Sequence, residues 1–307
     1  MNKPTIGIPR GMLYYRYETL WKTFFTKLGT DILVSEPTTH RIAEQGMSLT
    51  IDEACLSLKL YFGHISELIG KCEYIFIPRY CNFGRNRDMC PRFHAMYDIA
   101  KNMFRSSGQK FLTCNIDVLR KENELKAFLS LGQALGCSVK STLTAYKAAK
   151  KEDERIWKEK LREQKELLDR EGLKILIAGH DYLTHDAYVG KPITDFLKKN
   201  DAIPVEACVV DRNAALKHSP KLSPTCKWQL SREIVGGIAM YRDKIDGIIF
   251  LSAFPCGPDA MVNELMLRRI DDLPMLNLVL DGQNGTAGTE TRLESFLDII
   301  RFKRGML

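Results

Sequence analysis

Short apolar runs alternate with stretches whose apolar residues recur every three or four positions, and the alternation persists along the chain. In the first half, "TIGIP" reads as a strand and residues 12–28 as an amphipathic helix closed by Gly29. "DILVS" follows as a strand, with Pro37-Thr38-Thr39-His40 as its exit turn. Residues 58–69 carry a helical pattern, "YIFIP" a strand, 93–105 a helix, "KFLTC" a strand and 122–135 a helix. Repetition of strand and helix in this order predicts parallel sheets with helices on their faces. In such sheets functional residues collect beyond the carboxyl ends of the strands. "IPRGM", "SEPTTH" and "IPRYCNFGRNRDMC" all stand there.

Residues 147–172 form a long charged helical stretch, after which the pattern restarts. The second series is strand "KILIAG", helix 192–199, strand "IPVEACVV", helix 228–242, strand "GIIFLS", helix 261–269, strand "MLNLVL" and helix 290–302. The fold expected is therefore α/β, with two Rossmann-like or flavodoxin-like domains and mainly parallel sheets. Their boundaries are 1–146 for the first domain, 147–172 for a connector helix and 173–307 for the second. The two halves share a layout but no alignable repeat.

Composition narrows the function classes. A chain of 307 residues with 45% apolar and 27% charged positions is an ordinary globular protein of two domains. No apolar run reaches the ~18 residues of a membrane span, and "MNKPTIGIPRG" lacks a signal-peptide core, so a cytoplasmic location is expected. The net charge of +7 is spread thinly. Its densest segment, residues 146–174, holds 10 basic against 8 acidic side chains, which is a solvated helix laced with ion pairs rather than a nucleic-acid stripe. No GxxxxGK[ST], no GxGxxG after a strand and no GxSxG is present. "DGQNGTAGTETR" reads as a glycine-bearing turn.

Nine cysteines on a chain without an export signal turn attention from disulfides to metal or redox use. Cys72, Cys114, Cys137 and Cys208 lie beside or within strand-like and helix-closing segments and read as buried structural residues. Three others stand at loop-to-helix junctions on the functional edge: Cys55 in "DEACLSLK", Cys90 in "DMCPRF" and Cys256 in "FPCGPD". Helix N-termini favour the thiolate, the form that binds metals. Sulfur ligands far apart in sequence suit an iron-sulfur cluster held between domains. Cys81 shares a loop with Cys90, Gly84 and several arginines and is a candidate fourth ligand. His64 and His94, beside these segments, read as core or capping histidines, with His94 also a candidate donor to a cluster sulfide. The arginines at 79, 85, 87 and 92 either soften the charge of such a cluster or simply solvate the loop.

The stretches "IGIPRGMLYYRYETLWKTFFTKLG", "DEACLSLKLYFGHISELI", "YIFIPRY", "MCPRF", "IIFLSAFPCGPDAMVNELMLRR", "LVLD" and "AGTETRLESFLDII" together resemble the 2-hydroxyacyl-CoA dehydratase superfamily. Within it they are most similar to the CoA-substrate-specific enzyme activase-related branch, kin to the double-cubane cluster proteins. The resemblance implies α/β domains and an iron-sulfur cluster, a four-iron cubane or a larger cluster built from cubanes. It implies low-potential electrons from a separate ATP-hydrolysing activase of the actin/Hsp70-like class, in an oxygen-sensitive, anaerobic setting. It places the ligands on Cys55, Cys90 and Cys256; Cys81 lies outside the family pattern. A homo- or hetero-oligomer is expected, with neither nucleic acid nor membrane as partner. The function expected is a cluster protein of dehydratase type serving reductive or dehydratase-like chemistry. The alternatives are a non-catalytic electron relay or scaffold subunit, and a structural zinc protein.

Overall fold

The computed structural model describes residues 4–282 and 287–305. The chain divides into two compact units, Met1–Lys158 and Glu159–Leu307. The first unit runs β1 (Thr5–Ile8), α1 (Tyr14–Lys27), β2 (Asp31–Val34), α2 (His40–Leu49), α3 (Leu56–Leu68), β3 (Tyr74–Phe76), β4 (Arg79–Asn82), α4 (Pro91–Met103), β5 (Lys110–Leu112), β6 (Asn115–Asp117) and α5 (Glu124–Ala134). Helix α6 (Val139–Asp169) runs through the division. The second unit continues with β7 (Leu173–Ala178), α7 (Asp181–Thr184), α8 (Lys191–Lys199), β8 (Ala202–Glu206), α9 (Arg212–His218), α10 (Gln229–Tyr241), β9 (Gly247–Ala253), α11 (Gly257–Arg269), β10 (Met275–Leu280) and α12 (Ala287–Lys303).

Each unit is built on a four-stranded sheet, ordered β2-β1-β3-β5 in the first and β10-β9-β7-β8 in the second, with every pairing parallel. Numbered within its own unit, each sheet has the order 2-1-3-4. The first strand is interior, with the second strand on one side and the third on the other. The chain therefore leaves in opposite directions at the carboxyl ends of β1 and β3, and again at those of β7 and β9. Such a crevice is where open α/β sheets receive ligands. The likeness of the two halves is thus one of topology, which an alignment of residues does not reveal.

Burial explains the strands. All seven residues of β9, "GIIFLSA", are buried, as a strand covered by helices on both faces requires. In β1, Gly7 leaves room for Cys72: a Cβ there would lie 2.5 Å from the Cys72 sulfur, which would have to shift. Helix α1 packs aromatics on the strands, Tyr17 stacking on Tyr80 of β4 at 5.2 Å and Trp21 meeting Phe76 of β3 edge-on at 5.2 Å.

Departures from the sequence expectation include the start of the long helix α6, at Val139 instead of 147, and three further features. Helix α2 occupies part of what reads as an exit turn; it buries only Ile42, Ala43 and Gly46, too narrow a stripe to stand out in the pattern. Its start is capped by the Thr39 hydroxyl, which accepts from the Ile42 N–H at 3.3 Å. The segment holding Cys81 is not a loop, because β4 pairs with β6 in a two-stranded parallel sheet. Helix α11 begins at Gly257 rather than at 261, since Pro258 in its first turn is a helix starter there and not a breaker. The glycine-rich turn read in "DGQNGTAGTETR" falls partly on 283–286, outside the described residues.

Candidate functional site

Cys55, Cys90 and Cys256 share one local setting. Each is the N-cap residue of a 13-residue helix, α3, α4 and α11 respectively, and each is partly exposed. Their backbones are extended, with φ/ψ of −67/151, −57/136 and −74/106, and each carbonyl already accepts from its helix. None of the three side chains caps its own helix. Each cysteine thus stands at the positive end of a helix dipole, a setting that favours the thiolate. Pro91 opens α4 and Pro258 stands in the first turn of α11, fixing φ beside two of the cysteines. Thiolate sulfur is the donor type that iron-sulfur clusters take. The first unit carries Cys55, Cys81 and Cys90 and the second Cys256. Among the described residues, no three His, Cys, Asp or Glu side chains form a group that could hold a metal ion.

Cys81 is different. It lies on β4, with its sulfur 3.8 Å from the Asn115 Oδ1 on β6. Burial, then the Asp117 and Glu122 carboxylates, push its thiol up to about 11, so this setting favours the protonated form. The arginines near it are partly engaged: Arg79 pairs with Asp98 and lies 4.8 Å over the Tyr97 ring, and Arg87 lies 5.8 Å over Phe83. Cys114 is buried at 3% exposure and its thiol is driven upward by burial. His94 is exposed on α4, whereas His64 is wholly buried.

Two buried polar groupings at the carboxyl edges have no counterpart in the sequence reading. In the second unit His180, the residue that starts α7 after β7, places Nε2 2.8 Å from Asp259 Oδ1 in the first turn of α11. Both are 6% exposed, and Asp259 Oδ2 has no hydrogen-bond partner among the described residues. Burial works against a charge on His180, but Asp259 outweighs it and raises its pKa above the usual histidine value. In the first unit, Arg10, Ser35, His64 and Thr38 form a connected chain beyond β1 and β2. Neither grouping is a local motif; "IPRGM" and "SEPTTH", at the edge singled out by the strand pattern, were the available signal for the second.

The second unit also holds an open cleft of about 830 Å³ beside β8 and α8. Its floor carries an ion pair of His185 Nε2 and Glu206 Oε2 at 2.8 Å, while at the rim Lys191 pairs with Asp195. Both acidic and basic side chains line it, among them Glu171, Asp201, Arg170 and Lys198. No helix among the described residues is long and apolar enough to cross a membrane.

Residues 5–207 match the model of a family described as "CoA enzyme activase uncharacterised domain". The match takes in Cys55, Cys81 and Cys90 and ends before Cys256. No curated protein matches. Among solved structures, the laminin-binding protein Lbp of Streptococcus pyogenes aligns at 9% identity over 98% of this chain and 99% of its own, with a TM-score of 0.30. The SBP FpvC from Pseudomonas aeruginosa, in complex with Mn2+, aligns at 11% identity over 98% of each chain, with a TM-score of 0.26. Likenesses this distant carry no argument about fold or ligand.

Proposed function

The chain belongs to the family of the CoA enzyme activase uncharacterised domain, and from that premise we propose that it is the iron-sulfur component of a CoA-enzyme activation system. Cys55, Cys90 and Cys256 are the ligands, and a separate ATP-hydrolysing activase of the actin/Hsp70-like class is the electron donor. The observation that carries this reading is the shared setting of the three thiols, each an N-cap residue whose side chain does not cap its helix. When bound, an iron-sulfur cluster supplies a one-electron carrier of low potential and, with three thiolate ligands, one iron position open to an exogenous ligand.

The residues of the chain do the remaining work. The N-termini of α3, α4 and α11 present partial positive charge to sulfur, which stabilises the thiolates needed for binding. Pro91, Gly257 and Pro258 set the backbone around two of the ligands before any metal arrives. Cys81, on a strand where burial and two carboxylates disfavour a thiolate, is the weaker candidate beside these three.

Anaerobic purification with quantitation of iron, acid-labile sulfide and zinc tests the assignment. The expected preparation is brown, contains iron and sulfide in matched amounts, and gains an electron paramagnetic resonance signal when a reduced activase and ATP are added. A colourless protein containing zinc would assign the thiols to a structural site. An iron-sulfur protein that is reduced yet turns over no small molecule would assign it to electron relay.

A further inference from the structure

The carboxyl edge of the first unit contains a second built arrangement, which uses none of the cysteines. Arg10 follows Pro9 directly after β1, at the crevice where the chain departs to β2 on one side and β3 on the other. Its backbone N–H donates to the Ser35 Oγ at 2.7 Å and its Nε–H to the Ser35 carbonyl at 3.0 Å. The guanidinium carbon lies 5.4 Å over the Tyr14 ring. Ser35 is 1% exposed, and its Oγ lies 3.0 Å from Nδ1 of the wholly buried His64. His64 Nε2 in turn lies 2.9 Å from the Thr38 Oγ1. Burial holds His64 neutral, with a pKa of about 4, so one ring nitrogen donates and the other accepts and the chain of bonds closes without a second positive charge beside Arg10.

A surface arginine needs no such support, because water solvates it. A buried chain of polar groups is costly unless every member is satisfied, and the return is rigidity at its end. Here the end is a guanidinium whose plane is held by Nε and by the Tyr14 ring. Its two Nη groups have no hydrogen-bond or ion-pair partner among the described residues. The neighbouring carboxylate, Glu18, accepts at its Oε1 from the Tyr14 hydroxyl at 2.6 Å and from Lys22 at 2.5 Å. The loop itself is constrained: Met12 has φ of 49, a conformation non-glycine residues seldom adopt, and a Cβ on Gly11 would lie 3.1 Å from the Tyr61 ring.

We propose that Arg10 is the binding residue for the oxyanion of a small molecule, a carboxylate or a phosphate, at the carboxyl edge of β1. The two Nη groups donate in parallel to two oxygens of the anion, the geometry that distinguishes arginine from lysine. Ser35 and His64 are positioning residues that do not touch the ligand.

The test is a calorimetric titration of the full chain with inorganic phosphate, acetate and malonate, each against chloride at equal ionic strength. Binding is the readout, so the result stands whether or not the protein carries iron. Saturable binding of at least one oxyanion, absent with chloride, is expected. Phosphate binding above both carboxylates identifies a phosphoryl ligand, and the reverse a carboxylate ligand. Arg10→Gln and Arg10→Lys should each weaken binding by about tenfold or more, because lysine restores the charge but not the paired donors. Ser35→Ala should weaken it several-fold without touching the anion. Absence of saturable binding in the parent protein, or an Arg10→Lys variant that folds and binds as tightly as the parent, overturns the proposal.

Discussion

His180 Nε2 lies 2.8 Å from Asp259 Oδ1, joining the residue after β7 to the first turn of α11 across 79 positions of sequence. Burial opposes the charge on His180 and Asp259 more than restores it, so the folded-state pKa lies above the unfolded one. Stability from this pair is fully present below the unfolded value and is lost as pH rises through the folded value. Asp259→Asn leaves a buried histidine without its counter-charge, at a cost of about 3–5 kcal/mol below pH 6. Urea unfolding of parent and variant across pH should show that difference shrinking as pH rises; a pH-independent difference would show that the pair carries no charge.

His64 predicts the opposite slope. Its pKa falls from the ordinary 6.5 to about 4 on folding, chiefly through burial. Between those values the unfolded chain binds a proton that the folded chain refuses. The group therefore removes about 3 kcal/mol of stability as pH falls from 6.5 to 4. His64→Gln, which keeps a donor and an acceptor but does not titrate there, should flatten that part of the stability curve.

Cys256→Ala should abolish iron and sulfide binding while the far-ultraviolet circular dichroism stays close to that of the parent. The turn is already set by its prolines, and the side chain does not cap α11. Cys137→Ala and Cys208→Ala should retain iron and lose only about 1–2 kcal/mol. A Cys256→Ala protein with full iron content removes Cys256 from the ligand set; loss of iron in either control would move that control into it.

Cys81 separates three ligands from four. Its strand position, with burial and then two carboxylates pushing the thiol up to about 11, predicts that Cys81→Ser keeps its iron and leaves the spectrum of the reduced protein unchanged. A changed spectrum, together with tighter binding of added cyanide or thiolate, would identify Cys81 as the fourth ligand.

Helices α2 and α3 approach each other through glycines. A Cβ at Gly46 would lie 2.0 Å from the Lys59 carbonyl oxygen, and one at Gly63 2.1 Å from that of Ile42. Backbone cannot yield as a side-chain tip can, so Gly63→Ala should cost about 1–3 kcal/mol or more. Because α3 carries Cys55 at its start, the same variant should bind iron less tightly; thermal melts and iron quantitation measure the two effects together.

Local pattern determined the strands of the two four-stranded sheets, and their parallel pairing followed from alternation with helices. A buried strand such as "GIIFLSA" must be apolar along its whole length, and a helix must be apolar on one side; both demands are written within about ten consecutive residues. The junction positions of Cys55, Cys90 and Cys256 were legible for the same reason, since glycine, proline and a following apolar stripe mark a helix start locally. What the pattern could not carry was any pairing between distant segments. Cys81 reads as a loop residue until Arg79 and Tyr80 are seen opposite Asn115 and Ile116. Arg10 reads as one arginine among many until strand order brings Ser35 beside it, and His180 is an ordinary polar residue until β7 and β9 become neighbours. A hydrogen bond is decided by distance in space, and that distance is set by the order of strands in the sheet.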